Sequence, residues 1–356
     1  MKPSVSIQHK ALLIIKTEAI GDYILFRNFI KSIKQSEKFK GFSLTLIGNE
    51  IWKPLCLKYD KDLVDHFIFI DKFQFQNVTV YRREKLIEIN AKGYTYILNA
   101  TYSREFLMGD SIIRSTTAEH KIGMYGDSVS EIPLFHTISN KFYTKLIQIP
   151  EHIFFEFDRM KYFFETVTEE TIQLTAPYIN EKNDRKQLAV ILPGAQAALR
   201  RWSPLKFKTV AEYLHQKYAY EIFICGGKED YALGALMTDQ NNEGYLHNRC
   251  GIDTLDKLPA ILSVARLVIC NDSGTLHISA AVNTPAVCIS NANHYKRFTP
   301  YPEKLNKHLK FIYPATFLKK YMNENDRMEA VKYGSTFSID EIQTAEVITE
   351  INNLLQ

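Results

Sequence analysis

Short apolar runs recur along the first half of the chain, at 11–15, 42–47, 67–70, 94–98 and 121–124, each bounded by polar turn residues. Between them lie stretches whose apolar residues return at helical spacing, over 22–33, 51–57, 81–91 and 105–114. A strand buried on both faces reads as a continuous apolar run, and a helix that covers it reads with a period near 3.6. The alternation therefore predicts an α/β fold with parallel strands sandwiched between helices. It fades over 127–150, where Pro133 and Pro150 act as breakers. An aromatic stretch at 152–167, with Phe154, Phe155, Phe157, Tyr162, Phe163 and Phe164, predicts a helix buried between two layers. The polar segment 169–187 reads as a linker. Strands are expected again at 188–192, 220–225, 267–270 and 286–289, with helices over 205–217, 255–263 and 275–282. Ile339, Ile342, Val347, Ile348, Ile351 and Leu354 give a terminal helix at 338–355 its apolar face.

The stretch 267–290 carries the clearest chemical signal. A buried strand runs into Asn271-Asp272-Ser273-Gly274, and a helix of small and apolar residues follows, ended by Asn283-Thr284-Pro285. Asp272 or Ser273 falls where an N-cap belongs. The N–H groups of Ser273, Gly274 and Thr275 are then set to hold an anion, and Gly274 leaves room for a phosphate against the backbone. In the first half, Asp22 falls at the start of the helix after the first strand, and Lys16 at that strand's end. Ser103 and Arg104 lie on a loop after the strand at 94–98. Carboxyl edges of parallel strands are where such sheets carry their sites. Each of these residues also has an ordinary reading, as a helix-start carboxylate or a solvated strand-end cation. In the second half, Arg200 and Arg201 precede Trp202, with Ser203 and Pro204 suited to open a helix. Gly226-Gly227 at a strand end allows close backbone approach by a ligand, with Glu229 and Asp230 just beyond, placed to meet ribose hydroxyls.

A chain of 356 residues is too long for one ordinary core, so two domains are expected, 1–180 and 187–356, with the final helix free to pack back on the first. The 46% hydrophobic and 24% charged composition is that of a soluble globular protein. A net charge of only +4 argues against a nucleic-acid partner, though it suits loose contact with an anionic membrane surface. Cys56, Cys225, Cys250, Cys270 and Cys288 show no metal-type spacing, and Cys225, Cys270 and Cys288 read as buried thiols of a reducing compartment. Residues 1–10 are polar and lead directly into a strand, so no signal peptide is expected. No apolar run approaches the ~20 residues of a membrane helix. Cytoplasmic residence is the resulting expectation, and the family resemblance given below extends it to a place peripheral to the inner membrane. The region 11–22 lacks the G-x-G-x-x-G turn of a dinucleotide oxidoreductase.

Four stretches taken together, KTEAIGD (16–22), PGAQAALRRWSPLKF (193–207), GGKED (226–230) and NDSGTLHISAAVNTP (271–285), resemble glycosyltransferase family 9, the ADP-heptose:lipopolysaccharide heptosyltransferase family. The resemblance covers nearly the whole chain. It implies a glycosyltransferase-B fold, two Rossmann-like domains facing across a cleft, the first for the acceptor and the second for the nucleotide-sugar. It implies Asp22 as general base, Arg201, with Arg200 as the alternative, as the cation on the donor phosphates, and Glu229 or Asp230 on the ribose. Asp272, Ser273, Gly274 and Thr275 become the anion-binding turn. His277 follows as a residue that orients that turn, with phosphate contact as its alternative. Lys16 joins Arg201 in facing the leaving group, and Ser103 and Arg104 face the acceptor. Where the family carries glycine near Asn283 and after the next strand, this chain has Ser290-Asn291-Ala292-Asn293-His294.

The implied reaction is an inverting, metal-independent sugar transfer, heptose from ADP-heptose, onto a lipopolysaccharide-type or related surface glycan. A carboxylate takes the acceptor's proton, and fixed cations and N–H groups meet the charge on the departing diphosphate. No acidic triplet suited to magnesium is present in the sequence, so no metal and no cofactor beyond the substrate is expected. The rival readings are the same fold with another nucleotide-sugar, a nucleotide-sugar epimerase, and a non-catalytic nucleotide-sugar-binding protein.

Overall fold

The computed structural model describes residues 10–239, 244–321 and 323–356, so the polar stretch at 1–9 lies outside the described residues. Strands β1 (Ala11–Lys16), β2 (Ser43–Asn49), β3 (His66–Ile70), β4 (Tyr96–Asn99), β5 (His120–Met124) and β6 (Lys145–Ile147) pair in parallel in the order β3-β2-β1-β4-β5-β6. Strands β7 (Leu188–Leu192), β8 (Glu221–Ile224), β9 (Leu246–Asn248), β10 (Leu267–Asn271), β11 (Ala286–Ile289) and β12 (Leu309–Ile312) form a second parallel sheet, ordered β12-β11-β10-β7-β8-β9. Counted from its own first strand, each sheet reads 3-2-1-4-5-6. That is the doubly wound order, which reverses direction between β1 and β4 and again between β7 and β10.

The central strands are apolar throughout because helices cover both faces: every residue of β1, β7 and β10 is buried. Leu13, Ile15, Ile47, Ile68 and Ile97 centre one core, and Ile191, Trp202, Ile222, Leu267 and Val287 another. Three strands escape the pattern. β6 (KLI) and β9 (LHN) are three-residue edge strands with no apolar run, and β12 (LKFI) also lies at an edge. Edge strands face water on one side and need no continuous apolar run.

The packing groups the chain up to Ala19, Phe26–Ile153 and Phe157–Leu174 in a first unit, and Ile20–Leu25, Phe154–Glu156 and Thr175–Gln356 in a second. The change of unit thus falls before the expected linker end, and the segment carrying Asp22 packs with the second unit. The expected helix at 22–33 is two helices, Ile20–Phe26 and Asn28–Gln35. Arg27 between them keeps right-handed helical dihedrals and makes paired hydrogen bonds of 3.0 and 2.6 Å to the buried Asp60 carboxylate. Pro133 starts a helix, Pro133–Asn140, instead of breaking one, since a first-turn position needs no N–H. The aromatic helix, Glu156–Thr168, lays Phe157 and Phe164 on Phe29 in the first unit, with ring centroids 5.1 and 5.6 Å apart. The terminal helix is shorter than expected, Thr344–Leu355. Val347 and Ile351 complete the second core, and the Trp202 indole N–H donates to Ile342 O at 3.0 Å.

Candidate functional site

At the switch point of the second sheet, the end of β10 is tied to the end of β7 by one side chain. Asn271 is fully buried; its Nδ2 donates to Pro193 O at 2.7 Å, and its Oδ1 accepts from Trp202 N at 3.1 Å. Asp272 is buried next to it and works inward, accepting from Ser290 Oγ at 3.0 Å and Thr299 Oγ1 at 3.3 Å. Burial pushes its carboxyl above the usual range, against the opposing pull of Arg200 and the two hydroxyls. The Arg200 guanidinium donates to Asp272 O and lies 3.6 Å from its carboxylate. Arg200 and Asp272 therefore hold the turn together. They do not project from it.

Ser273 is the N-cap of helix Gly274–Ala281, in extended conformation, and its side chain makes no cap hydrogen bond. Its hydroxyl pairs with Thr275 Oγ1 at 2.8 Å, so the first-turn N–H groups are left for something other than their own cap. Gly274 also has a packing reason. A Cβ there would lie 2.9 Å from Gly21 N and 3.0 Å from Ile20 Cβ, so its missing side chain admits the 20–21 segment. Gly21 is the counterpart: a Cβ on it would come within 2.5 Å of His277 Cδ2. The two glycines of KTEAIGD and NDSG are thus explained by one close contact, which sets Asp22, in the first turn of helix Ile20–Phe26, beside the turn at Ser273. His277 is buried, and its Nδ1 shares a 2.6 Å hydrogen bond with the Tyr301 hydroxyl, not with the Asp272 turn as expected.

On the loop after β7, Arg201 Nε donates to Ala195 O at 2.7 Å, which fixes the stem of the side chain. Its two terminal nitrogens make no hydrogen bond among the described residues. At the end of β8 the paired carboxylates separate by role. Asp230 is buried and accepts from Gly227 N at 3.1 Å. Cβ atoms on Gly194 and Gly226 would sit 2.3 and 2.6 Å from its Oδ2, so these two glycines make room for Asp230, while a Cβ on Gly227 would meet Glu229 Oε1 at 2.3 Å. Desolvation raises the Asp230 carboxyl. Glu229 is exposed.

The first-half candidates are engaged internally. Lys16 is fully buried; its Nζ donates to Glu18 Oε1 at 2.8 Å and to Ala100 O at 2.9 Å. Arg104 is also buried, 3.3 Å from Asp110 and 3.1 Å from His136 Nε2, hydrogen-bonded to Asn140 Oδ1, with its guanidinium 4.7 Å from the Tyr143 ring. Ser103 Oγ donates to Asp127 Oδ1 at 2.7 Å. The sequence reading missed Tyr301 and Thr299, which sit apart in the chain from the His277 and Asp272 that they support, and named Ser290 only as part of a departing loop. Only the strand-end position of Ser290, after β11, signalled a site. All five cysteines are free and buried, and no group of three or more metal-type side chains occurs among the described residues. No helix among them is long and apolar enough to cross a membrane.

A family model, Glycosyltransferase family 9 (heptosyltransferase), matches residues 87–327, well over half of the chain. Lipopolysaccharide heptosyltransferase 2 of Escherichia coli (strain K12) is 27% identical over 169 residues, 46% of this chain and 45% of that protein. The matched stretch thus spans less than half the length of that curated relative. Among solved structures, the glycosyl transferase family 9 protein from Veillonella parvula DSM 2008 superposes with a TM-score of 0.72 at 20% identity, over 98% of this chain and 97% of its own. E. coli heptosyltransferase WaaC, solved with ADP, gives 0.70 at 14% identity, over 97% and 99%. The fold is α/β, of the glycosyltransferase-B class. With its family model matched from β4 to β12, over two thirds of its length, the chain belongs to glycosyltransferase family 9.

Proposed function

We propose that this protein is an inverting, metal-independent glycosyltransferase that moves heptose from ADP-heptose onto a lipopolysaccharide-type acceptor. The observation that carries the reading is the second switch point. There a helix start without a side-chain cap and an arginine with unengaged terminal nitrogens stand at the ends of adjacent strands. N–H groups at a helix start and a guanidinium are the donors a diphosphate needs. In this reading Arg201 and the N–H groups of Gly274 and Thr275 hold the diphosphate and meet the charge that grows on it as the sugar leaves. Fixed cationic and N–H donors do what a divalent ion would otherwise do. Glu229, and not the capping Asp230, accepts from the ribose hydroxyls. Asp22 takes the proton of the acceptor hydroxyl as its oxygen attacks the anomeric carbon opposite the leaving diphosphate, so the configuration inverts. In this reading Lys16 serves the fold, its ammonium donating to Glu18 Oε1 and Ala100 O.

The donor assignment draws on the relatives: WaaC has been solved with ADP and with ADP-2-deoxy-2-fluoro heptose. Peripheral membrane contact is supported by helix Pro133–Asn140, which leaves Leu134, Phe135 and Ile138 exposed, with Ile132 just before it. The deciding experiment incubates the protein with a panel of nucleotide-sugars and purified lipid-linked cores, with and without excess EDTA, and weighs the products intact. A heptose increment from ADP-heptose that survives EDTA is expected. Free or isomerised sugar formed without acceptor would point to an epimerase. Activity lost in EDTA and restored by magnesium would overturn the metal-free mechanism.

A further inference from the structure

Tyr301 and His277 form a buried pair whose proton arrangement can be worked out. The distance from Nδ1 to the hydroxyl is 2.6 Å, and the Tyr301 ring is held by Phe155, 4.7 Å away, and Phe311, 6.4 Å away. A neutral imidazole has one N–H and one lone pair, and a phenol has one O–H to donate. Among the described residues the Tyr301 hydroxyl has no other hydrogen-bond partner. If Nδ1 carried the proton, it would donate to the phenol oxygen, and the phenol's own hydrogen would be buried without an acceptor, a costly arrangement. If the phenol donates to Nδ1, both groups are satisfied, and the imidazole proton sits on Nε2.

Burial pushes the Tyr301 phenol well up. Burial, helped by the charge of Arg200, holds the His277 imidazole down to about 3. Both groups are therefore neutral at neutral pH. The Cδ2–Nε2 edge of the ring faces Gly21, where a Cβ would lie 2.5 Å from Cδ2 and 3.1 Å from Nε2. Nε2 itself makes no hydrogen bond among the described residues.

We propose that Tyr301 is a positioning residue: by donating to Nδ1 it locks His277 as the Nε2–H tautomer, so that an uncharged N–H donor stands beside the Asp22 helix for an oxygen of the nucleotide-sugar. The inference rests on the donor-site reading above. An uncharged donor suits this place because an imidazolium near Asp22 would favour its carboxylate and weaken it as a base. The neutral N–H still offers its hydrogen bond.

The test uses the full chain labelled with nitrogen-15 in histidine, without ligand, at neutral pH. Two-bond proton–nitrogen correlations, assigned by their loss in His277→Gln, should show a pyridine-like Nδ1 and a pyrrole-like Nε2. In Tyr301→Phe the same ring should become a mixture of tautomers. A pyrrole-like Nδ1 in the wild type, or an unchanged tautomer in Tyr301→Phe, overturns the proposal. In turnover, Tyr301→Phe should lower kcat/KM for the donor by about tenfold, the worth of one neutral hydrogen bond. In the His277→Gln background it should cost nothing further, because the glutamine amide presents its own N–H without help. Additive losses would also overturn it. The tautomer is read on ligand-free protein, so failure there removes this inference alone. Absence of transfer by the wild type from every nucleotide-sugar would instead remove the functional reading beneath it.

Discussion

The two sheets share one strand order, yet their switch points are finished in opposite ways. In the first, a cation closes the gap: buried Lys16 links the end of β1 to Ala100 beyond β4 and pairs with Glu18. In the second, a neutral amide does so, as Asn271 links the end of β10 to Pro193 beyond β7. A buried ion pair satisfies itself and leaves little charge for a ligand. A neutral tie leaves the charge at that edge to other residues, here Arg201 and the start of helix Gly274–Ala281. A doubly wound order thus marks two places where a ligand fits. The side chain that bridges the reversal decides which of them offers charge to one.

Substitutions can break this comparison, beginning with the largest expected effect. Asp22→Asn should lower turnover by about two to four orders of magnitude, the usual worth of a general base, with ADP affinity little changed. Near-wild-type turnover would end its assignment as the base. Lys16→Met should cost about 3 kcal/mol in urea unfolding, because Glu18 loses its buried partner, and should leave ADP affinity intact. If stability holds and affinity falls instead, Lys16 serves the ligand and the contrast between the switch points fails. Arg201→Ala should weaken ADP binding by about tenfold to a hundredfold in calorimetry, as expected for a charge-assisted hydrogen bond, and Arg201→Lys should restore only part. Unchanged affinity would move the phosphate site elsewhere. The smallest effects separate the carboxylate pair. Asp230→Ala should lower stability by about 1 kcal/mol through its lost cap. Glu229→Gln should leave the melting temperature alone and weaken ADP binding several-fold; the reverse pattern would give the ribose to Asp230.

The central strands and the order of helices were legible because burial on two faces leaves an unbroken apolar run. β6, β9 and β12 were not, since short edge strands carry no such run. Among candidate site residues, Asp22 and Ser273 could be placed from local pattern, each at a helix start, while Arg201 came from the family resemblance. What local pattern could not reveal is which polar groups face inward. Asp230 and Glu229 are neighbours with the same chemistry, and only the fold buries one and exposes the other. Arg104 and Lys16 looked like free cations on a loop and a strand end, and tertiary partners claimed both. Gly274 is explained by Gly21 and Ile20, and Gly21 by His277, across more than two hundred residues of chain.

The place of helix Thr344–Leu355 has a consequence for how the protein is made. The first unit takes all its residues from before Thr175, so its sheet can close while the ribosome is still translating the rest. The core of the second unit includes Ile342, Val347 and Ile351, and the indole of Trp202 is anchored to Ile342 O. The second unit therefore waits, with apolar surface uncovered, until those residues emerge from the exit tunnel. A pause in translation before codon 342 would prolong that exposure, making this half the one that chaperones have most reason to hold.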